Sequence, residues 1–213
     1  MSNKIKQKKG FTIIEVVLVL AIAGLIFLMV FFVLPQAMAG QRDTERRQAM
    51  SRVQSALVQY QTNNKSKRNN LPGPGAIAFS DSDEGFGECT SSACTFIRNY
   101  LNTTDSVAAN QNLFVDPDGV AYNMVITENW ASSSSGISTT SASGLQDLSS
   151  LDIQGTDSNQ YITIKGDDPL KAHVIYIIPG AKCDGENAVK SELRHFAVLY
   201  RLENSSIYCG DSD

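Results

Sequence analysis

A single acidic residue lies at the start of the most apolar stretch of this chain. Residues 16–34 contain no polar side chain, and Glu15 immediately precedes them. A carboxylate at the centre of a bilayer costs about 2.5 to 3.5 kcal/mol, and less near its edge, so such a group usually has a partner. Glu15 is therefore a candidate for pairing with a cation. The alternative is an interfacial residue hydrated by lipid headgroups.

The residues around Glu15 resemble a processing signal. The sequence KGFTIIEVVLVL at residues 9–20 is similar to the processing site of type IV prepilins and pseudopilins. The resemblance implies that a membrane-embedded prepilin peptidase cleaves after Gly10 and methylates the new amine of Phe11. It also implies that Glu15 pairs with the amine of a neighbouring subunit in a filament. The resemblance covers only the N-terminal part of the chain.

Elementary electrostatics supports that pairing. Cleavage creates a cation inside an apolar bundle, where an isolated charge is costly. Glu15 lies about one helical turn from Phe11 and can reach the next subunit's N-terminus if subunits are staggered along the filament. Pairing would then fix the stagger, which is a register role that buried charges are known to have.

The chain departs from the family pattern in its prolines. Many members carry a proline well inside the apolar segment, whereas Phe32 stands near that place here and Pro35 is the first proline. Gly24 is the only helix-weakening residue within the run. Whether a kink occurs near Gly24, near Pro35 or not at all stays open at this point.

The apolar run is long enough to cross a membrane. Its 19 residues from Val16 to Leu34 span roughly 28 Å as a helix, close to the roughly 30 Å hydrocarbon core. Residues 1–10 hold four lysines and no acid, which places the N-terminus in the cytoplasm. A signal peptide cleaved near residues 37–39 is the alternative. We predict a cleaved leader at 1–10 and a transmembrane and assembly helix at 11–34, in the inner membrane before assembly and in an extracellular pilus afterwards.

Charge changes sign along the rest of the chain. Residues 35–70 carry seven basic side chains against Asp43 and Glu45, whereas residues 71–213 carry nineteen acidic side chains against seven basic ones. A head this acidic is a poor nucleic-acid binder, because phosphate contacts need clustered lysine and arginine. The basic segment is interpreted as attracted to anionic headgroups or simply solvated. Alternatively, it complements acidic faces of neighbouring copies.

All four cysteines follow the apolar run. We therefore expect them on the oxidising side of the membrane. Four cysteines permit three pairings. We favour Cys89–Cys94, a short glycine-containing loop, and Cys183–Cys209, whose crosslink is worth on the order of 3 kcal/mol. A C-terminal disulfide-bounded loop is also similar to the pilin pattern. A zinc site using all four cysteines is the alternative, although the spacing lacks paired knuckles.

Metal and catalytic chemistry are weakly indicated. Clustered carboxylates are weak calcium candidates, as oxygen ligands at short spacing suit that ion; they are Asp81, Asp83, Glu84 and Glu88, with Asp116 and Asp118 fainter still. His173 and His195 border predicted strands, and a Cys183 nucleophile beside either would have to be reduced. No glycine-rich phosphate loop is present. We predict no enzymatic activity and no cofactor.

The apolar helix is expected to continue beyond the membrane to residue 62. A helical stripe faces one side, formed by Ala49, Val53, Ala56, Leu57 and Tyr60. The polar segment 63–70 and the Pro-Gly-Pro-Gly sequence at 72–75 end it. This predicts an amphipathic helix at 35–62, a linker at 63–75 and a β-rich head at 76–213.

The head shows strand-like runs bounded by turns. We predict strands at 120–127, 160–165, 173–178, 195–202 and 206–209, turns at 116–119 and 182–187, and a mobile loop at 130–144. The expected fold is α+β, with an antiparallel sheet of four or five strands packed on the C-terminal half of the long helix. This lollipop is also what the resemblance implies.

These features together predict a structural subunit of a type IV pilus. Its expected partners are other copies of itself in a helical filament, prepilin peptidase, the pilus assembly machinery and, before assembly, the inner membrane. A pseudopilin of a type II secretion system is one alternative, although several pseudopilins bind calcium in place of a C-terminal disulfide. An uncleaved, membrane-anchored binding or catalytic ectodomain is another. Adhesion, motility and DNA uptake all stay open as uses.

Overall fold

The computed structural model describes most of the chain and confirms the α+β class. The described residues are 10–65, 71–78, 95–96, 99–101, 115–120, 122–132, 151–155, 160–165 and 173–212. Their elements are α1 (Ile13–Asn63), β1 (Gly75–Ala78), β2 (Asn123–Ile126), a short 3-10 helix (Trp130–Ser132), β3 (Leu151–Gln154), β4 (Tyr161–Ile164), β5 (Val174–Pro179), β6 (Ala181–Asp184), β7 (Asn187–Lys190), β8 (Phe196–Arg201) and β9 (Ile207–Asp211).

The long helix α1 ends one residue beyond its predicted end and contains Pro35. Proline has no N–H to donate to the carbonyl of Phe31, four residues earlier, yet the residues on both sides are helical. The chain divides into two compact units, Met1–Gln41 and Arg42–Asp213. In the first unit, the large apolar side chains from Phe11 to Leu34 are all exposed.

The second unit contains two sheets rather than the single antiparallel sheet that was predicted. A five-stranded sheet has the order β1-β2-β5-β8-β9, and a four-stranded sheet has the order β3-β4-β7-β6. Every described pairing is antiparallel except β2 with β5, which run parallel. The first sheet is therefore mixed. The chain leaves it after β2, forms β3 and β4 in the second sheet, and returns in β5.

Strong strand signals were located correctly and weak ones were missed. The five predicted strands correspond to β2, β4, β5, β8 and β9, and the turn at 116–119 is present, with the Gly119 N–H donating to the Asp116 carbonyl at 2.8 Å. β1, β3, β6 and β7 were not predicted. The turn placed at 182–187 is wrong in extent, because Asp184 and Asn187 pair as strand residues and only Gly185 and Glu186 turn the chain.

The loop predicted at 130–144 is wrong at its first residues. Trp130 opens the 3-10 helix and is completely buried. The Ser-rich composition of the following residues hid this anchor, because a single tryptophan contributes little to an average over the segment. Residues 133–144 lie outside the described part of the chain.

The five-stranded sheet is buried on both faces. On one face, Ile175 and Ile177 of β5 belong to a core that also contains the α1 residues Met50, Val53 and Leu57. On the other face, Tyr176 and Ile178 belong to a core that contains Trp130, Leu151 and Ile162. Alternate residues of a strand point to opposite faces, so a strand covered on both sides is apolar throughout. This accounts for the continuous apolar runs of β5 and β8.

A disulfide joins the two sheets. Cys183 of β6 and Cys209 of β9 are bonded with a Cα–Cα distance of 5.8 Å, which confirms this predicted pair. Neither sulfur is therefore available as a zinc ligand or as a nucleophile, so both of those alternatives are wrong for these two residues. Cys89 and Cys94 lie outside the described residues.

A buried arginine fastens α1 to the head. The Arg46 side chain is 7% exposed and that of Asp116 is 0% exposed. Arg46 Nε and Nη2 donate to Asp116 Oδ2 and Oδ1, each at 2.8 Å. Arg46 Nη1 donates to Asp43 Oδ1 at 3.2 Å and to Glu203 Oε2 at 3.1 Å. One guanidinium thus connects the helix to the turn before β2 and to the residues after β8.

Neighbouring arginines of α1 also bond within the chain. Arg42 pairs with Glu203, and Arg52 Nη2 donates to the Leu101 carbonyl at 2.8 Å. The interpretation of this basic segment as headgroup-binding or solvated is therefore wrong for the buried Arg46, whereas Arg42 and Arg52 bond within the chain and stay partly exposed. Helical spacing alone could not reveal this, because the acceptors lie far away in sequence.

The surroundings of Asp116 hold it in its ionised form. Burial raises the pKa of Asp116. Hydrogen bonds from Arg46, from the Tyr200 hydroxyl and from the Asp118 N–H outweigh this effect and lower the pKa to about 2. Burial and the nearby Asp116 charge raise the pKa of Tyr200. The phenol therefore stays a donor and the carboxylate stays an acceptor throughout the neutral range.

The C-terminal strand is fastened to α1 by one amide. The Tyr208 hydroxyl donates to Gln54 Oε1 at 2.9 Å, and Gln54 Nε2 donates to the Asp211 carbonyl at 3.2 Å. A Cβ at Gly210 would lie 2.2 Å from Gln54 Nε2. Glycine at 210 therefore lets the amide approach the strand backbone.

We predict that Arg46→Ala lowers the free energy of unfolding by about 3 to 5 kcal/mol, because it leaves the Asp116 carboxylate buried without its main partner. Arg47→Ala, one residue along on an exposed position, should change it by less than about 0.5 kcal/mol. Chemical denaturation of the full chain in detergent measures both. Equal losses in the two variants would contradict this role of Arg46.

We predict an acid-dependent loss of stability from Asp116. Its folded-state pKa lies below the unfolded value, so its contribution is present above about pH 4 and is lost as the pH falls towards 2. The loss should be roughly 2 kcal/mol. Asp116→Asn should be less stable at neutral pH and should lack this part of the pH dependence. An identical acid profile in the two proteins would refute the assignment.

We predict that Gly180→Ala destabilises the head by about 2 to 4 kcal/mol. Gly180 has a φ of +77°, and a Cβ there would lie 2.5 Å from the Ala131 backbone nitrogen. Gly185 is the matched control, because its φ is +63° but nothing lies within 4 Å of its Cβ position. Gly185→Ala should cost only about 1 kcal/mol. Thermal unfolding of the two variants compares them, and indistinguishable melts would rule out the steric part of the argument.

Candidate functional site

The first turn of α1 is closed by a reciprocal cap around Glu15. The Thr12 N–H and the Thr12 hydroxyl both donate to Glu15 Oε2 at 2.8 Å. The Glu15 N–H in turn donates to Thr12 Oγ1 at 3.4 Å. Because α1 begins at Ile13, Thr12 is the N-cap and Glu15 is the third helical residue. This is the capping-box arrangement, which satisfies donors that a helix start otherwise leaves unpaired.

The cap uses only one of the two carboxylate oxygens. Both bonds from Thr12 end on Oε2, and Glu15 Oε1 accepts no hydrogen bond from the described part of the chain. The Thr12 bonds therefore fix the orientation of the side chain while leaving Oε1 open. An open carboxylate oxygen of fixed orientation can accept a charge-assisted hydrogen bond from a cation.

The surroundings of this oxygen are apolar. Phe11 is 88% exposed, and Ile14 and Leu18 on the same helix are also exposed. Among the described residues, α1 is the one helix long and apolar enough to cross a membrane. Glu15 thus combines a charge with a helix surface that no described protein residue covers. In an apolar medium such a charge gains most from an ionic partner.

The bond between Gly10 and Phe11 lies just outside the helix. Both residues are exposed and neither is helical. A peptide bond in this position can be bound by a protease without unwinding α1. Residues 1–9, which include the four lysines, lie outside the described residues.

Thr12 is the candidate site residue that sequence reasoning missed. The signal was present, because a threonine three residues before a glutamate at the start of an apolar run is the sequence pattern of a capping box. The structure therefore adds Thr12 to the predicted set of Gly10, Phe11 and Glu15.

The metal candidates gain no support from the described residues. Asp116, Asp118 and His173 offer ligand atoms within 4.8 Å of one another. However, the oxygens of Asp116 already accept bonds from Arg46 Nε, Arg46 Nη2, the Tyr200 hydroxyl and the Asp118 N–H. A carboxylate has about four lone-pair sites, so these donors fill it. The candidates Asp81, Asp83, Glu84 and Glu88 lie outside the described residues.

Neither histidine forms part of a catalytic arrangement in the described residues. His173 Nε2 lies 3.3 Å from Asp118 Oδ2, beside the Arg46 cluster. His195 Nδ1 lies 2.6 Å from Ser191 Oγ. A hydrolytic triad needs a carboxylate on the other ring nitrogen of the histidine, and no such contact to His195 occurs among the described residues.

Comparison with known proteins gives a match for the N-terminal segment. The family model described as the prokaryotic N-terminal methylation motif matches residues 5–31. Searches of curated proteins and of solved structures gave no match to the chain. The matched residues include Gly10, Phe11, Thr12 and Glu15 and most of the apolar run. The chain therefore carries a type IV prepilin-like methylation signal on a long apolar helix, in a protein of pilin-like α+β architecture.

Proposed function

We propose that this protein is a structural subunit of a type IV pilus. Prepilin peptidase cleaves it after Gly10 and methylates Phe11, and the mature chain polymerises through its N-terminal helix into an extracellular filament. The match of residues 5–31 to the methylation motif carries this proposal. The Glu15 carboxylate supports it independently, because the Thr12 cap occupies one of its oxygens and leaves the other open.

The geometry of the cap supports the proposed assembly contact. Thr12 occupies Glu15 Oε2 and leaves Oε1 open. In the filament, the N-terminal amine of Phe11 from a neighbouring copy donates to Oε1. The two charges neutralise each other in surroundings where each would be costly alone. Exposed apolar side chains on both sides of Glu15 are then covered by helices of other copies.

The proposed location changes with assembly. Before assembly, residues 11–34 anchor the chain in the inner membrane, with the lysine-rich leader on the cytoplasmic side and the head outside. The Cys183–Cys209 disulfide supports an oxidising location for the head. After cleavage, the chain leaves the membrane for the filament with the help of the assembly machinery. The head has a structural role and needs no cofactor.

A pseudopilin of a type II secretion system is the second candidate function. The methylation motif supports it equally, because both classes of protein carry that signal. The disulfide at the C-terminal end of the head favours the pilus. Long sheared fibres on electron micrographs would indicate the pilus, and their absence despite correct processing would indicate the short periplasmic pseudopilus.

We predict that Glu15→Gln abolishes filaments without affecting membrane insertion. Glutamine keeps the size of the side chain and can still accept the Thr12 bonds of the capping box. The variant therefore removes the charge and preserves the helix start. Glu15→Asp should retain partial assembly, because it keeps the charge at a shorter reach. Negative-stain microscopy of sheared surface material from the producing bacterium measures both.

Two controls make that experiment decisive. Immunoblots of membrane fractions should show equal amounts of the wild-type chain and both variants. Cleavage of the leader should also be retained, because the scissile bond is unchanged. Abundant normal fibres from Glu15→Gln would contradict the proposed charge pairing.

A further inference from the structure

Arg47 differs from the arginines on either side of it along α1. Arg42, Arg46 and Arg52 all bond to acceptors within the chain. Arg47 is exposed and makes no side-chain hydrogen bond or ion pair with the described part of the chain. Successive helical residues point about 100° apart, so Arg46 can be buried while its neighbour faces outward.

The exposed surface of α1 beside Arg47 is uncharged. We call this surface the outer face; it comprises Thr44, Gln48, Ser51, Ser55 and Thr62, all exposed. The Ser55 hydroxyl donates to the Ser51 carbonyl at 2.9 Å, and the Thr62 hydroxyl donates to the Val58 carbonyl at 2.9 Å. Covering the Ser55 and Thr62 hydroxyls therefore leaves neither of these two donors unpaired, which lowers the cost of removing them from water.

The head offers complementary charge that the described part of its own chain leaves unpaired. Four exposed carboxylates form no ion pair within the described residues, namely Glu128, Asp184, Glu186 and Glu192. Residues 71–213 contain nineteen acidic and seven basic side chains in total. Copies of so acidic a head repel one another unless cations lie between them.

We propose that the outer face of α1 packs against the head of a second copy of this chain, and that Arg47 pairs there with one of these exposed carboxylates. This inference rests on the proposed filament and names a contact that the N-terminal helix does not supply. The uncharged face allows close approach, and Arg47 selects an acidic partner. Such a pair opposes head repulsion and helps to set the orientation of neighbouring heads.

Charge reversal at Arg47 in the producing bacterium tests the contact. Arg47→Glu should reduce fibres by on the order of tenfold or more, because it places an acid against an acidic head. Arg47→Lys keeps the charge and should assemble nearly as well as the wild type. Arg47→Glu is then combined with one of four second changes, namely Glu128→Lys, Asp184→Lys, Glu186→Lys or Glu192→Lys. One of the four double variants should restore fibres.

The outcomes separate this inference from the proposed function. The melting temperature of Arg47→Glu should stay close to that of the wild type, because Arg47 makes no hydrogen bond or ion pair with the described part of its own chain and acts on Tyr208 only through its charge. Normal fibres from Arg47→Glu would overturn the contact while leaving the filament proposal intact. A loss of fibres that no lysine substitution restores would overturn the pairing. Reduced membrane association with normal fibres would assign Arg47 to lipid headgroups instead. A wild type that forms no fibres would contradict the proposed function itself.

Discussion

The head depends on one buried charge, the guanidinium of Arg46. Four hydrogen bonds join it to Asp116, Asp43 and Glu203, which lie on the turn before β2, on α1 and after β8. A buried pair of this kind contributes little net energy compared with apolar packing, but breaking it strands a charge. Arg46 therefore specifies where along α1 the sheet is attached, while buried apolar side chains of α1 such as Met50, Val53 and Leu57 supply the packing energy.

The same helix carries a second charge that its own chain satisfies only in part. Glu15 receives two bonds from Thr12 on one oxygen and none from the described residues on the other. Arg46 and Glu15 differ in where their partners lie. The partners of Arg46 lie within the head, whereas the remaining partner of Glu15 is, in our proposal, another copy of the chain. One physical rule, that a charge in apolar surroundings needs a counter-charge, thus accounts for both the folded head and the proposed filament.

Features that depend on local pattern were predictable from the sequence. The apolar run, the α1 stripe, the apolar strands β5 and β8 and the position of Glu15 all follow from composition and periodicity. The parallel pairing of β2 with β5 and the second sheet were not predictable, because short strands such as β3 and β6 have too little periodicity. The bond from Arg46 to Asp116 joins residues 70 positions apart, and no local pattern encodes such a contact. The Thr12 cap is different, because the four-residue pattern from Thr12 to Glu15 was sufficient to predict it.

The central claim is that Glu15 meets a newly created amine. N-terminal sequencing combined with intact-mass analysis of the purified mature protein tests it most directly. The account predicts a chain that begins at Phe11 with a methylated amine, and therefore lacks the lysine-rich leader. A mature protein that still begins at Met1 would have no such amine beside Glu15, and this would contradict the account.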